Sequence, residues 1–203
     1  MVTSTAGERE ETSFFENSIY LERRLGQNTA VVANSWVEVN YDTYEGWRGE
    51  VTFAAKRVVH ETSGGTVVAV QGGALWASHP YGGCSEGGAE LRLLAGRGFG
   101  ETGFANIEAA TRAFEGGCQS ERLDLTIGYR PGENWLAMGQ VFVDAPREGE
   151  EIVRAQASLV HFRPSGRAIQ VGLRGRVDGG AQEAAIVISY WGRPSGQSSR
   201  RSR

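Results

Sequence analysis

The sequence predicts an all-β chain, an antiparallel up-and-down barrel of eight to nine strands with two short helices. Three observations lead there. From residue 29 onward, apolar and polar residues alternate with a period of two, the pattern of half-buried strands. The alternating segments are joined by short turns such as Ser63-Gly64-Gly65, Pro131-Gly132 and Pro164-Ser165-Gly166, which are hairpin signals. Several segments run past nine residues, longer than the usual strand. Long strands in a meander favour closure, which removes exposed edges. A two-sheet sandwich or jelly roll is the competing arrangement.

Residues 1–12 are polar and expected to be disordered. The next segment, SFFENSIYLERRL (13–25), fits a helix. Ser13 and Glu16 have capping-box spacing, Phe15, Ile19, Leu21 and Leu25 form a partial apolar stripe, and Gly26 is a stop. Strands are expected at 29–42, 47–61, 66–77 and 89–99. The stretch FANIEAATRAF (104–114) fits a second helix, with Phe104, Ile107, Ala110 and Phe114 on one face. Strands resume at 122–130, 134–144, 152–163, 167–178 and 183–191. Residues 13–192 thus form one domain, followed by a basic polar tail, 193–203, expected to be disordered.

Composition narrows the function classes. The chain has 203 residues, 40% of them hydrophobic, and a formal net charge of −3. No overall basic field draws it to nucleic acid. No apolar run is long enough for a membrane-spanning helix, and the N-terminus lacks the layout of a signal peptide. These features predict a cytoplasmic protein with no membrane partner. Lys56 is the one lysine; every other basic residue is arginine. Cys84, Cys118, His60, His79 and His161 show no metal-ligand spacing.

Two motif matches fail on context. Gly83-Cys84-Ser85-Glu86-Gly87 matches the G-x-S-x-G pattern of serine hydrolases, and Gly98-Phe99-Gly100-Glu101-Thr102-Gly103 matches a dinucleotide fingerprint. Both patterns need repeated parallel β-α units, which a run of hairpins does not offer. A Gly-rich loop is the plainer reading of the first, and a Gly-rich entry to a helix of the second.

In a water-soluble barrel the apolar face of each strand points inward. That rule sends Val31, Val37, Val39, Tyr41, Val51, Phe53, Arg57, Val59, Leu91, Leu93, Leu123, Leu125, Ile127, Tyr129, Leu159, His161, Val171 and Leu173 inside. It leaves Glu38, Asn40, Glu90, Arg92, Arg174 and Arg176 outside. Counting alternate connections gathers Trp47, Trp76, Trp135, Trp191, Tyr41, Tyr81, Tyr129, Tyr190 and His161 at one mouth, with both helices at the other end. Aromatic side chains suit an apolar or ring-containing ligand; a filled aromatic core is the alternative. The candidate substrate contacts are Trp47, Trp76, Trp135, Tyr190, Tyr81 and Arg57, although Arg57 equally suits a structural pair with Glu61. His161 is the candidate acid/base, histidine being the side chain that titrates near neutrality, with Tyr129 and Tyr41 beside it. The loop at 78–88 becomes a lid. Cys84 falls at the mouth and Cys118 at the opposite end, too far apart for a disulfide.

This architecture, over about 25–192, resembles calycin-like and allene oxide cyclase-like β-barrels and the small β-barrel cyclases of polyketide pathways. The resemblance carries no family motif. It implies a cofactor-independent cyclase or isomerase that restrains a small hydrophobic molecule and supplies hydrogen bonds to it. A non-catalytic carrier or sensor of such a ligand is the alternative, and a structural or assembly protein a further one. The reading leaves room for a homodimer.

Overall fold

The computed structural model describes residues 1–40, 47–78, 87–147, 149–180 and 182–192. Twelve strands follow one another: β1 (Val2–Arg9), β2 (Thr12–Arg24), β3 (Thr29–Asn40), β4 (Trp47–Glu61), β5 (Thr66–Ser78), β6 (Gly87–Phe99), β7 (Gly103–Phe114), β8 (Gln119–Gly132), β9 (Trp135–Pro146), β10 (Ile152–Phe162), β11 (Ala168–Arg176) and β12 (Glu183–Trp191). Each pairs antiparallel with its sequence neighbour. β1 also pairs with β12, from Val2↔Tyr190 to Arg9↔Glu183, so the sheet closes and no strand is left as an edge.

The closed antiparallel barrel has twelve strands, which corrects the eight to nine strands with two short helices expected from the sequence. No helix occurs among the described residues. The segment expected to be the first helix is β2, because a period of two runs through it as well. Phe14, Glu16, Ser18, Tyr20 and Glu22 share the inner face; Phe15, Asn17, Ile19 and Leu21 share the outer. Ahead of it, residues 2–9 form β1. The hairpin between them turns on Glu10 (φ 48°) and Glu11 (φ 67°), two left-handed residues as a type I′ turn requires. With Glu-Glu where Asn-Gly is usual, the sequence carries no visible turn signal. The second expected helix is β7, bonded to β6 on one side and β8 on the other. Its alanines favour a helix locally, but two flanking strands supply a ladder on both sides. The apparent dinucleotide fingerprint is the β6–β7 hairpin, with Gly100 at φ 60°.

The alternation along each strand is as expected, and its sign is reversed. Val31, Val37, Val39, Phe53, Val59, Leu91, Leu93, Leu123, Leu125, Ile127, Leu159, Val171 and Leu173 are exposed on the outer surface. Glu38, Glu50, Glu90, Arg112, Gln156, Gln170 and Glu183 are buried inside. Reading 104–114 as a strand adds one crossing, so every later element changes ends. The connections 10–11 and 115–118 lie at the far end, with the ends of β3, β5, β9 and β11; residues 41–46 and 79–86, the latter the expected lid, fall outside the described residues. The connections 25–28, 62–65, 100–102, 133–134 and 163–167 lie at the other, terminal end, with the start of β1 and the end of β12. The single aromatic mouth therefore separates into two groups. Trp47 and Trp76 stand at the far end; Phe99, Tyr129, Trp135, His161, Tyr190 and Trp191 stand at the terminal end. The expectation of two unbonded cysteines also fails: Cys118 is disulfide-bonded, and Cys84, the chain's other cysteine, lies outside the described residues.

Candidate solute pathway through the lumen

The inner faces of the twelve strands enclose a cavity of about 600 Å³ that reaches from Cys118 and Arg147 at the far end to Met1 and Trp191 at the terminal end. Its walls change character along the axis.

At the far end the lining is a ring of ion pairs. Glu183, its side chain fully shielded, accepts from three guanidiniums: Arg9 Nε at 3.0 Å, Arg154 Nε at 3.1 Å and Arg174 Nε at 3.2 Å. Arg9 also donates to Glu38, which receives Arg48 as well, and Arg174 reaches Glu16. Phe14 lies among these charges because two of them cover it: the Arg9 guanidinium stands 4.6 Å from its ring centre and that of Arg174 5.9 Å, within cation–π range. Opposite, Arg112 donates to Glu50 through both terminal nitrogens, at 2.8 and 2.9 Å, and to Glu90 through Nε at 2.8 Å. Arg92 joins Glu90, Glu108 and Asp124, and Arg122 joins Asp144. Burying any of these charges alone would be costly; paired and hydrogen-bonded, they hold the wall together.

Midway, neutral polar groups take over. Gln156 Nε2 donates to Gln140 Oε1, Gln170 Nε2 to Ser158 Oγ, and Thr3 Oγ1 to Ser189 Oγ. Lys56 and Tyr20 converge on Glu22, near the β2–β3 connection. Towards the terminal end the lining turns apolar. Leu136, Met138, Val160 and Ala168 pack together, with Phe104, Phe162 and Trp191 against them.

The outer surface is the converse. Among the described residues 28 large apolar side chains are exposed, far more than a patch of a few hundred Å², which is all that a soluble monomer usually shows. The residues proposed from sequence as a site lie on this surface. Trp47, Trp76, Trp135 and Tyr190 are exposed outward, as are Tyr129 and Arg57; Tyr41 and Tyr81 lie outside the described residues. His161 faces outward too, its ring 4.6 Å from that of Trp135. The structure brings Trp135 and His161 together, at the outer rim of the barrel. The inner faces of opposite charge were the signal missed. They are visible in the sequence as Glu and Arg at alternate positions; Glu38, Glu90, Arg92, Arg174 and Arg176 are those expected outside.

An apolar exterior with aromatic groups towards both ends, wrapped around a largely polar lumen, is the pattern of side chains that membrane-spanning β-barrels carry. Among solved structures, the chain resembles the KdgM porin (TM-score 0.62, 9% identity, 95% of this chain and 99% of that one). It likewise resembles the NanC porin (TM-score 0.65, 9% identity, 94% and 99%) and the β domain of the Bordetella autotransporter BrkA (TM-score 0.54, 14% identity, 94% and 96%). No family model matches the sequence, and no curated protein matches it. At these identities the likeness shows the fold.

Four expectations are thereby corrected. A cyclase or isomerase enclosing an apolar substrate needs an aromatic interior, and this one is ionic and polar except towards the terminal end. A carrier of a small hydrophobic ligand fits poorly with a lumen lined by ion pairs at the far end and by amides and hydroxyls midway. A cytoplasmic location and the absence of a membrane partner do not fit an apolar outer face. The missing hydrophobic run says nothing against spanning, because a strand crosses a membrane with every second residue.

Proposed function

We propose that the chain is an outer-membrane β-barrel channel for small polar solutes. The observation that carries this reading is the radial inversion, large apolar side chains exposed outside and shielded ion pairs and amides inside. A strand needs about 9–11 residues to cross a bilayer when tilted, and the strands here have 8 to 15. The likeness to the KdgM and NanC porins supports the channel over other barrel functions. Cys118 in a disulfide suits an oxidising compartment. The terminal end, with the shorter connections, faces the periplasm under this reading, and the far end faces out.

The test is reconstitution. The full chain, refolded in detergent and added to a planar bilayer, is expected to give stepwise conductance. In cells it is expected in the outer-membrane fraction, with heat-modifiable mobility on gels. A folded barrel that inserts without raising conductance overturns the channel reading.

A further inference from the structure

We infer that the lumen recognises a neutral polyhydroxylated solute, an uncharged oligosaccharide, along the wall formed by β11, β12, β1, β2 and β3; this rests on the channel reading above and names its substrate class. Charge supplies the first argument. Of the described residues, the charged side chains that are not exposed number nine basic (Arg9, Arg48, Lys56, Arg92, Arg112, Arg122, Arg154, Arg174, Arg176) and nine acidic (Glu16, Glu22, Glu38, Glu50, Glu90, Glu108, Asp124, Asp144, Glu183). Every one has an opposite charge within 4 Å. These shielded charges sum to zero and satisfy one another; the exposed Arg147 and the Met1 ammonium add positive charge only at the two mouths. A charged solute would have to displace an existing ion-pair partner to gain one of its own. The KdgM porin, by contrast, has been seen in complex with disordered oligogalacturonate, an acidic chain.

The second argument is a row of neutral side chains. Gln170 pairs in register with Ser189, Ser189 with Thr3, Thr3 with Ser18, and Ser18 with Trp36. All five line the cavity. They stand on successive strands about 4.8 Å apart, a spacing close to the repeat of a pyranoside chain, so consecutive sugar rings can meet consecutive strands.

The third argument is a hydrogen-bond deficit in the same wall. Trp36 Nε1 and Thr5 Oγ1 are buried without a partner, and both residues line the cavity. Buried polar groups are almost always satisfied. An indole N–H can only donate, whereas a threonine hydroxyl donates and accepts. A sugar hydroxyl can serve either once neighbouring side chains shift to uncover these shielded atoms; a metal cation cannot serve the indole.

The experiment uses the full chain with two probes of equal length, maltohexaose and hexagalacturonate. Current through single channels and calorimetry on detergent-solubilised protein are measured together. Maltohexaose is expected to bind and to interrupt the current, and hexagalacturonate to do so more weakly. Trp36→Phe, which keeps the ring and removes the N–H, and Thr5→Val, which keeps the shape and removes the hydroxyl, are each expected to weaken maltohexaose about five-fold, the effect of one hydrogen bond. Tighter binding of hexagalacturonate, or unchanged maltohexaose affinity in both variants, overturns the inference. Binding without any current overturns the channel reading and leaves the recognition site standing. Current that maltohexaose does not alter, with no heat of binding, overturns the recognition site alone.

Discussion

Arg112 on β7 and Glu50 on β4 stand three strands apart and meet through two hydrogen bonds of 2.8 and 2.9 Å, both side chains almost fully buried. The same guanidinium holds Glu90 on β6. One cation therefore keeps two buried carboxylates in place and ties together a third of the barrel wall. Replacing it leaves Glu50 without its ion pair and Glu90 with Arg92 alone. Arg112→Ala is expected to lower stability by about 3–5 kcal/mol, read as an earlier midpoint in urea unfolding from lipid vesicles. An unmoved midpoint would mean that water already screens this corner of the lumen.

The outer face gives a depth-dependent expectation. Leu93 lies midway along β6 and is exposed outward. Leu93→Arg is expected to cost about 2–4 kcal/mol in a bilayer, and Trp47→Arg, at the far rim, about 0–1 kcal/mol from the charge. The measurement is equilibrium folding into vesicles. Equal costs at the two positions would argue against the bilayer depth assigned to them.

Lys56 tests the charge balance of the lumen. It pairs with Glu22, which also accepts from Tyr20 Oη at 2.7 Å. Lys56→Met leaves Glu22 without its cation, and the lumen gains a net negative charge. The reversal potential in a potassium chloride gradient is expected to move towards cation selectivity. Adding Glu22→Gln to the variant is expected to move it back. A shift that persists in the double variant would mean that lumen shape, not charge, sets the selectivity.

Asp178, in the connection between β11 and β12, gives a pH dependence. Its carboxylate accepts from the Val153 N–H at 2.7 Å, the Gly180 N–H at 2.9 Å and Arg176 Nε at 2.6 Å. These bonds, the Val153 amide foremost, favour the ionised form and hold the group at about 2, below the ordinary aspartate value of 3.8. The folded value is the lower one. The stabilisation is therefore complete above the ordinary value and is lost as pH falls through about 2. The Val153 and Gly180 amide resonances are expected to titrate together with a midpoint near 2. A midpoint near 4 would show that the three bonds do not persist in solution.

Much of the fold was legible. Period-two alternation is a local property, so strands such as β3, β4 and β10 could be read from residues alone, and Gly- or Pro-containing turns marked four of the hairpins, at 63–65, 131–132, 164–166 and 179–180. Where turn chemistry was unusual, as at Glu10-Glu11, or where alanines blurred the period, as in β7, local signals were silent or misleading, and pairing with neighbours decided. That single missed crossing also moved Trp135, Tyr190 and His161 to the wrong end, because position along a meander depends on the count of every strand before it.

The sequence by itself determined which residues share a face: Glu38 with Trp36, Leu91 with Leu93. It could not determine which face looks inward, because alternation is the same pattern in water and in lipid. Only the closed barrel decided that. Closure places Glu183 within reach of Arg9, Arg154 and Arg174 on three other strands, and buried charges are tolerable only where such partners converge. Once the Glu and Arg face had to be the inside, the leucines and valines were left outside, where only lipid would accept them.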